Sequence, residues 1–512
     1  MFYMQYNSGF SYFQKLCNSK LRQILWPIRA SELRKFFLMA LLMFAVLLNQ
    51  NIVRAIKNTI VTTQIGAESI SFIKFWGEMP VGFLFILFYS KLCNAVTAEK
   101  AFRIIVFSFF LFFVTYSFII LPNHKFFYPN PETIELYTLQ FPHLKWFIKM
   151  WGHWGDVLFY IIGELWPIVV FSLLYWQLAN KITTTEEATH FYPFLTLFGQ
   201  SNLLLSGNIV VYFSRENHIF IKLFSSELTT DEILIKSLMI IVILSTIIIL
   251  LLHRFIETRI VHSFMSNKAS LNQCFKMNLK ESIKVILSSR YLWQICCMII
   301  SYSVVINIIE GVWMSKIQEL YSTTEQFMTY QGTILIYTGI SSIICSFLSC
   351  SIIRYLGWYY GAVITPVIIL VVGTCFFFSI ALENYLESII HCVSSLSIIV
   401  LIGTIQNVLA KGVKYSIFDA TKEMAYIPLD DEIKTKGKAA VEVAGAKIGK
   451  AVSSIMQFSI FSIMPFIKYD DIIIFLTILF IIVCIFWILN VKFLHKNYIA
   501  LLISDNKKKH RI

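Results

Sequence analysis

Phe36-Phe37-Leu38-Met39-Ala40-Leu41-Leu42-Met43-Phe44-Ala45-Val46-Leu47-Leu48 runs without a charge and continues through Asn49-Gln50-Asn51-Ile52-Val53-Arg54-Ala55-Ile56-Lys57. About 20 largely apolar residues are enough to cross a hydrocarbon core of about 30 Å as a helix. The run is continuously apolar rather than alternating, which argues against a barrel strand. Runs of the same kind recur at 70–92, 101–122, 157–179, 192–213, 235–254, 291–313, 331–352, 359–381, 390–411, 442–466 and 471–494. The fold predicted is an all-α membrane protein of about twelve transmembrane helices. Composition agrees: 57% of the 512 residues are apolar and only 14% charged, against about a quarter charged in soluble domains.

Basic residues set the orientation, because lysine and arginine gather in cytoplasmic connections. They collect in the N-terminal segment (Lys15, Lys20, Arg22, Arg29, Arg34, Lys35) and after the sixth run (Arg254, Arg259, Lys268, Lys276, Lys280, Lys284, Arg290). Two further groups follow the tenth run (Lys411 to Lys438) and end the chain (Lys507, Lys508, Lys509, Arg511). An even helix count puts all four on one side, with both termini cytoplasmic. This distribution accounts for much of the net charge of +13, so the excess does not call for a nucleic-acid partner. The reading divides the chain into a cytoplasmic segment 1–35, a six-helix half 36–254, a basic linker 255–290, a second six-helix half 291–494 and a basic tail 495–512. Two halves of six joined by a basic linker is the major-facilitator layout. Within the linker, Phe275 to Lys280 reads as an interfacial amphipathic helix. The stretch 123–156 reads as the largest external loop, with Trp146, Trp151 and Trp154 at headgroup level.

Charges inside the runs carry the functional information. A charged side chain at the bilayer centre costs about 2.5–3.5 kcal/mol on insertion scales, so it persists where it faces a polar cavity or a partner. Run one ends with Gln50, Arg54 and Lys57, spaced four and three apart and therefore on one helix face. Run four holds Glu164. Run seven holds Glu310, with Asn307 on the same face. Run ten holds Gln406 and Asn407, then Lys411 and Lys414. Runs one, four, seven and ten are the cavity-lining helices expected of such a transporter. Arg54 and Lys57 could instead snorkel to the headgroups. Cations and acids together describe a site for an anion with polar, uncharged parts, lysine being a good point charge for phosphate. Phe75, Trp76, Trp166, Tyr175, Trp176, Tyr302 and Trp313 are candidates to stack a base.

Other chemistries find no support. Gly445-Ala446-Lys447-Ile448-Gly449-Lys450-Ala451 is one residue short of a phosphate-binding loop and lacks its final Ser or Thr. The ten cysteines form no C-x-x-C pair, so no metal or redox site is expected. Isolated histidines and the lack of a nucleophile–base pattern argue against an enzyme, and no cofactor is implied. No cleavable leader is evident, so the first helix is expected to direct insertion.

Three stretches resemble the ATP/ADP translocases of plastids and obligate intracellular bacteria, a family distinct from the mitochondrial carriers. They are Val53-Arg54-Ala55-Ile56-Lys57-Asn58-Thr59 with Gly66-Ala67-Glu68 and Phe72-Ile73-Lys74-Phe75-Trp76; Gly163-Glu164-Leu165-Trp166 through Trp176 to Ile182; and Lys414-Tyr415-Ser416-Ile417-Phe418-Asp419-Ala420-Thr421-Lys422-Glu423 through Pro428 to Lys438. The resemblance extends from about residue 33 to 495. It implies exchange or uptake of nucleotides, with Lys57, Glu164, Glu310 and one of Lys422, Lys434, Lys436 or Lys438 as key charges. With Arg54, Asn307, Asn407, Lys414, Lys422, Lys436 and Lys438 they form the expected substrate site. Family exchangers commonly read Arg-Asp-Thr-Lys-Asp in helix one. Here Ala55 and Asn58 replace both acids, a more positive field that leaves ATP/ADP exchange and uptake of other nucleoside triphosphates both open. The Ile-, Lys- and Asn-rich composition suits an intracellular bacterium, or a microsporidian parasite. A carrier of another organic anion, such as a sugar phosphate, is the rival reading.

Overall fold

The computed structural model describes residues 28–29, 32–215, 229–261, 289–383, 385, 387, 394–429 and 431–509. Twelve long helices cross the bundle among these residues. The first half holds α1 (Leu33–Gln64), α2 (69–95), α3 (Ala98–Ile120), α4 (Trp154–Ile182), α5 (Thr185–Ser214) and α6 (Thr230–Ile260). The second holds α7 (Arg290–Leu320), α8 (324–356), α9 (358–381), α10 (Ser395–Ala425), α11 (Asp431–Ile463) and α12 (Ile473–Lys509). Helices α8 and α9 form one helical stretch broken at Gly357, whose φ of +84° few other residues adopt. Eleven spans among the described residues are long and apolar enough to cross a membrane. The remaining long helix, α11, is more polar, with Lys447, Lys450, Ser453, Ser454 and Gln457 along it.

Local sequence sets several helix starts. Thr184 with Glu187 and Thr229 with Glu232 form reciprocal capping boxes that satisfy the first free N–H groups of α5 and α6. Polar side chains inside the bundle then tie helices together where lipid offers no hydrogen bonds. Asn49 donates to the Val242 carbonyl, Ser245 and Thr246 of α6, and Asn51 donates to Asn202 and Ser206 of α5. The buried apolar residues form two large clusters. One draws almost wholly on residues before 257, the other on residues after 290 with Ala67, Phe72 and Trp146 added.

The structure corrects the sequence reading in four places. The first run was expected to end at 57, but α1 continues to Gln64, so Lys57 sits well inside it. Its polar residues face the protein interior, which a hydropathy limit cannot recognise. The tenth run, placed at 390–411, is Ser395–Ala425. The stretch 123–156 contains short helices, His124–Phe127, Pro131–Gln140 and Lys145–Gly152. Trp146 there is buried against Phe72 and faces no lipid, whereas Trp151 and Trp154 are exposed. The tail beyond 494 continues α12 as helix to Lys509. The interfacial helix expected from Phe275 lies outside the described residues.

Candidate functional site

Helices α1 and α4 meet at Lys57 and Glu164. They approach closely because residue 163 is glycine: a Cβ there would lie 2.9 Å from Val53 Cγ1 and 3.0 Å from Lys57 Cδ. Lys57 is only 3% exposed. Its Nζ lies 2.6 Å from Glu164 Oε1, donates to Asn58 Oδ1 at 2.8 Å and sits 3.8 Å from the centre of the Tyr160 ring. From the other half, α11 brings Lys450 to the same carboxylate. Gly449 permits this, since a Cβ on it would fall 2.5 Å from Ser303 Cβ of α7. Lys450 Nζ reaches Glu164 Oε2 at 3.1 Å and Glu78 Oε1 at 2.9 Å. Glu164 therefore holds one lysine from each half, one on each oxygen.

A second contact joins the halves beside the first. Lys74 donates to Asn307 Oδ1 at 2.7 Å and lies 3.6 Å from Glu310 Oε2. Both Lys74 and Glu78 belong to a π-helical segment of α2, Ile73–Glu78, an irregularity common at functional sites. Asn307 and Glu310 share one face of α7, as their spacing requires. The cluster is balanced: Lys57, Lys74 and Lys450 face Glu78, Glu164 and Glu310. Opposite charges about 3 Å apart attract by roughly 5 kcal/mol at an effective dielectric constant near 20. Withdrawing each ion from water costs several kcal/mol. The two terms come close to cancelling, so these pairs can exchange partners at low net cost.

The cluster borders a cavity between the halves. Asn58, Ser71, Lys74 and Tyr160 line it from one side, and Asn307, Glu310, Ser454 and Gln457 from the other. Tyr469 closes it by donating to Gln457 Oε1 at 2.9 Å. Toward the end of the bundle opposite the start of α1, Phe458 of α11 packs between rings of α2. It stacks on Phe75 at 5.0 Å and meets Phe72 and Trp76 at 5.7 and 6.1 Å. There the Ala67 N–H also donates to Gln318 Oε1.

The other expected residues separate into groups. Arg54 feels the fields of Tyr415 of α10, Glu164 and Glu310. Asn407 is buried in α10. Lys414 and Lys422 both approach Asp419, at 3.9 and 3.3 Å. Lys436 and Lys438 lie on α11, their side chains outside the described residues. The aromatic candidates mostly serve packing. Trp166, Tyr175 and Trp313 are buried and donate to Val46 O, Met39 O and Thr404 Oγ1, and Trp176 packs on Tyr192. The helix set also differs from that expected, since α2 and α11 supply half of the charges. Lys74, Glu78 and Lys450 all stood inside predicted runs 70–92 and 442–466. The burial-cost argument, extended to those runs, would have found them.

Comparisons with known proteins agree with this architecture. The family model described as TLC ATP/ADP transporter matches residues 13–498. ADP,ATP carrier protein 4 of Rickettsia felis is 41% identical over 490 residues, covering 94% of this chain and 95% of the carrier. ADP,ATP carrier protein 3 of Rickettsia conorii is 39% identical over 502 residues, covering 95% and 99%. Among solved structures, a bacterial homologue of the iron transporter ferroportin in an inward-facing state superposes with a TM-score of 0.56 at 13% identity, over 91% of this chain and 99% of that one. The xylose transporter of E. coli in its inward-open conformation gives 0.53 at 12% identity, over 91% and 96%. These likenesses show the major-facilitator-like fold.

Proposed function

Because the chain belongs to the TLC ATP/ADP transporter family, we propose that it carries nucleotides across the inner membrane of an intracellular bacterium, by exchange with ADP or by uptake of nucleoside triphosphates. It is a multi-pass membrane transporter and not an enzyme, as its carrier relatives are. The observation that carries the substrate reading is the interior cluster in which Glu164 bridges Lys57 of the first half and Lys450 of the second.

A nucleotide brings phosphate oxygens that compete with carboxylates for lysine, together with ribose hydroxyls and a base that carboxylates and amides can bond. Entry of the substrate exchanges Lys–Glu contacts for Lys–phosphate contacts. That exchange alters the bonds holding the halves together, which is the coupling alternating access requires. Lys57 and Lys450 act on the nucleotide's charge. Glu164, Glu310 and Asn307 bond its sugar or base, and Asn407, Lys436 and Lys438 contribute from the second half. Both termini face the cytoplasm, a reading supported by the basic connections on that side.

The test is uptake of labelled ATP, GTP, CTP and UTP by intact bacterial cells expressing the chain, with and without preloaded counter-substrate. Sugar phosphates are included as competitors. Nucleotide uptake that Lys57→Ala reduces at unchanged membrane level is expected. Uptake that unlabelled nucleotides fail to inhibit refutes the reading, and inhibition by sugar phosphates alone would favour the organic-anion alternative.

A further inference from the structure

Arg54 of α1 and Lys411 and Lys414 of α10 stand outside the balanced cluster. Arg54 of α1 and Lys411 of α10 have no carboxylate within 4.0 Å among the described residues. Lys414 lies 3.9 Å from Asp419 Oδ2, but Lys422 holds the same carboxylate more closely, at 3.3 Å. Tyr415, beside Lys414 on α10, has its ring centre 4.5 Å from Lys414 Nζ, and Arg54 lies within the electrostatic reach of both Tyr415 and Lys411. Glu310 is the carboxylate whose field reaches both Arg54 and Lys411, which ties this patch to the Lys74–Glu310 pair. Along α1, Arg54 is less than one turn, about 5.4 Å, from Lys57, on the side of the helix start.

We propose that Arg54, Lys411 and Lys414 form the subsite for the terminal phosphates, and that Lys57 holds the nucleotide nearer its sugar. The inference rests on the nucleotide reading and deepens it. An anion entering at Lys57, Lys74 or Lys450 meets charge that a glutamate already neutralises. One entering at Arg54 and Lys411 meets charge without a paired acid. A guanidinium is suited to hold two phosphate oxygens at once, with the lysines as point charges beside it. The substrate then lies along the bundle, its polyphosphate toward the end where α1 starts and its nucleoside toward the cavity lined by Tyr160 and Gln457. Discrimination by phosphate count follows, because a triphosphate reaches more of these cations at once than a monophosphate does.

The experiment is competition against labelled ATP by ATP, ADP, AMP and adenosine on the full chain in lipid nanodiscs, for wild type, Arg54→Gln, Lys411→Gln and Lys411→Arg. Loss of a charge-assisted phosphate contact should weaken ATP by about ten- to hundredfold. AMP should weaken by no more than about threefold, a change below 1 kcal/mol, and Lys411→Arg should retain most ATP affinity. Equal weakening of ATP and AMP, or none, overturns the subsite. A wild type that binds no nucleotide defeats the functional reading instead. A second measurement needs no variant: inorganic tripolyphosphate should shield Lys411 and Lys414 of the wild type from amine acylation, read by mass spectrometry, and leave Lys74 reactive. Absence of that shielding in protein that binds ATP also overturns the subsite.

Discussion

Replacing Glu164 with glutamine removes the charge that Lys57 and Lys450 share, and the structure gives them unequal alternatives. Lys450 keeps Glu78 at 2.9 Å. Lys57 has no other carboxylate within 4.0 Å among the described residues and is 3% exposed. The cost of Glu164→Gln therefore falls on Lys57, and an ion orphaned in a protein interior destabilises by about 3 kcal/mol. Lys57→Met is milder, because Glu164 still has Lys450 at 3.1 Å, and the lost contact is worth about 1–2 kcal/mol. In the double variant no charge is orphaned, so the losses should not add, leaving a coupling of about 2 kcal/mol. The assay is denaturant unfolding of the purified chain in detergent, followed by tryptophan fluorescence, for wild type, both single variants and the double. Nucleotide uptake is measured in parallel and should fall in all three variants, including the double whose stability recovers. Additive losses, with coupling under about 0.5 kcal/mol, would refute the bridge.

Three further outcomes follow from particular contacts. Gly163→Ala would force a methyl group against Val53 and Lys57, at 2.9 and 3.0 Å; it should cost about 1–3 kcal/mol by thermal unfolding and lower uptake more than expression. Phe458→Ala removes the ring that Phe72, Phe75 and Trp76 share. Each such pair is worth about 0.5–1.5 kcal/mol, so if Phe458 closes the cavity at this end, a Ser71→Cys thiol should react at least about tenfold faster with an impermeant thiol reagent added from outside, and an unchanged rate would show that it does not. Glu187 lies before the membrane span of α5, and burial alone would raise its carboxyl. The Lys35 ammonium at 2.7 Å and the Thr184 N–H outweigh that and hold it below the usual range. Its stabilising contribution is present above the unfolded value near about 4.3 and is lost as pH falls through the lower folded value. Hydrogen-exchange protection at the start of α5 should thus hold from neutral pH down to about 5 and fall below about 4, and Glu187→Gln should abolish that pH dependence.

Helix number was legible from sequence because each apolar run had to match one bilayer thickness. The same solvent argument drew out Lys57, Glu164 and Glu310, since an ion within a membrane span requires a partner whatever the fold. Asn307 followed from its spacing to Glu310 on one helix face. All of these depend on one helix and the surrounding lipid, so a linear reading can evaluate them.

Partner choice was settled only by the way the two halves pack. Lys450 and Glu164 are far apart in sequence, and nothing local says that Lys450 meets Glu164 and not another acid. Glycines 163 and 449 decide which helices come close enough for the ions to meet, and the π-helical turn of α2 swings Lys74 and Glu78 inward. Trp146 shows the same limit in reverse, because burial against Phe72 depends on where a loop folds back. Hydropathy reads the solvent around one helix, whereas an ion pair between halves depends on distances set by every helix that packs between them.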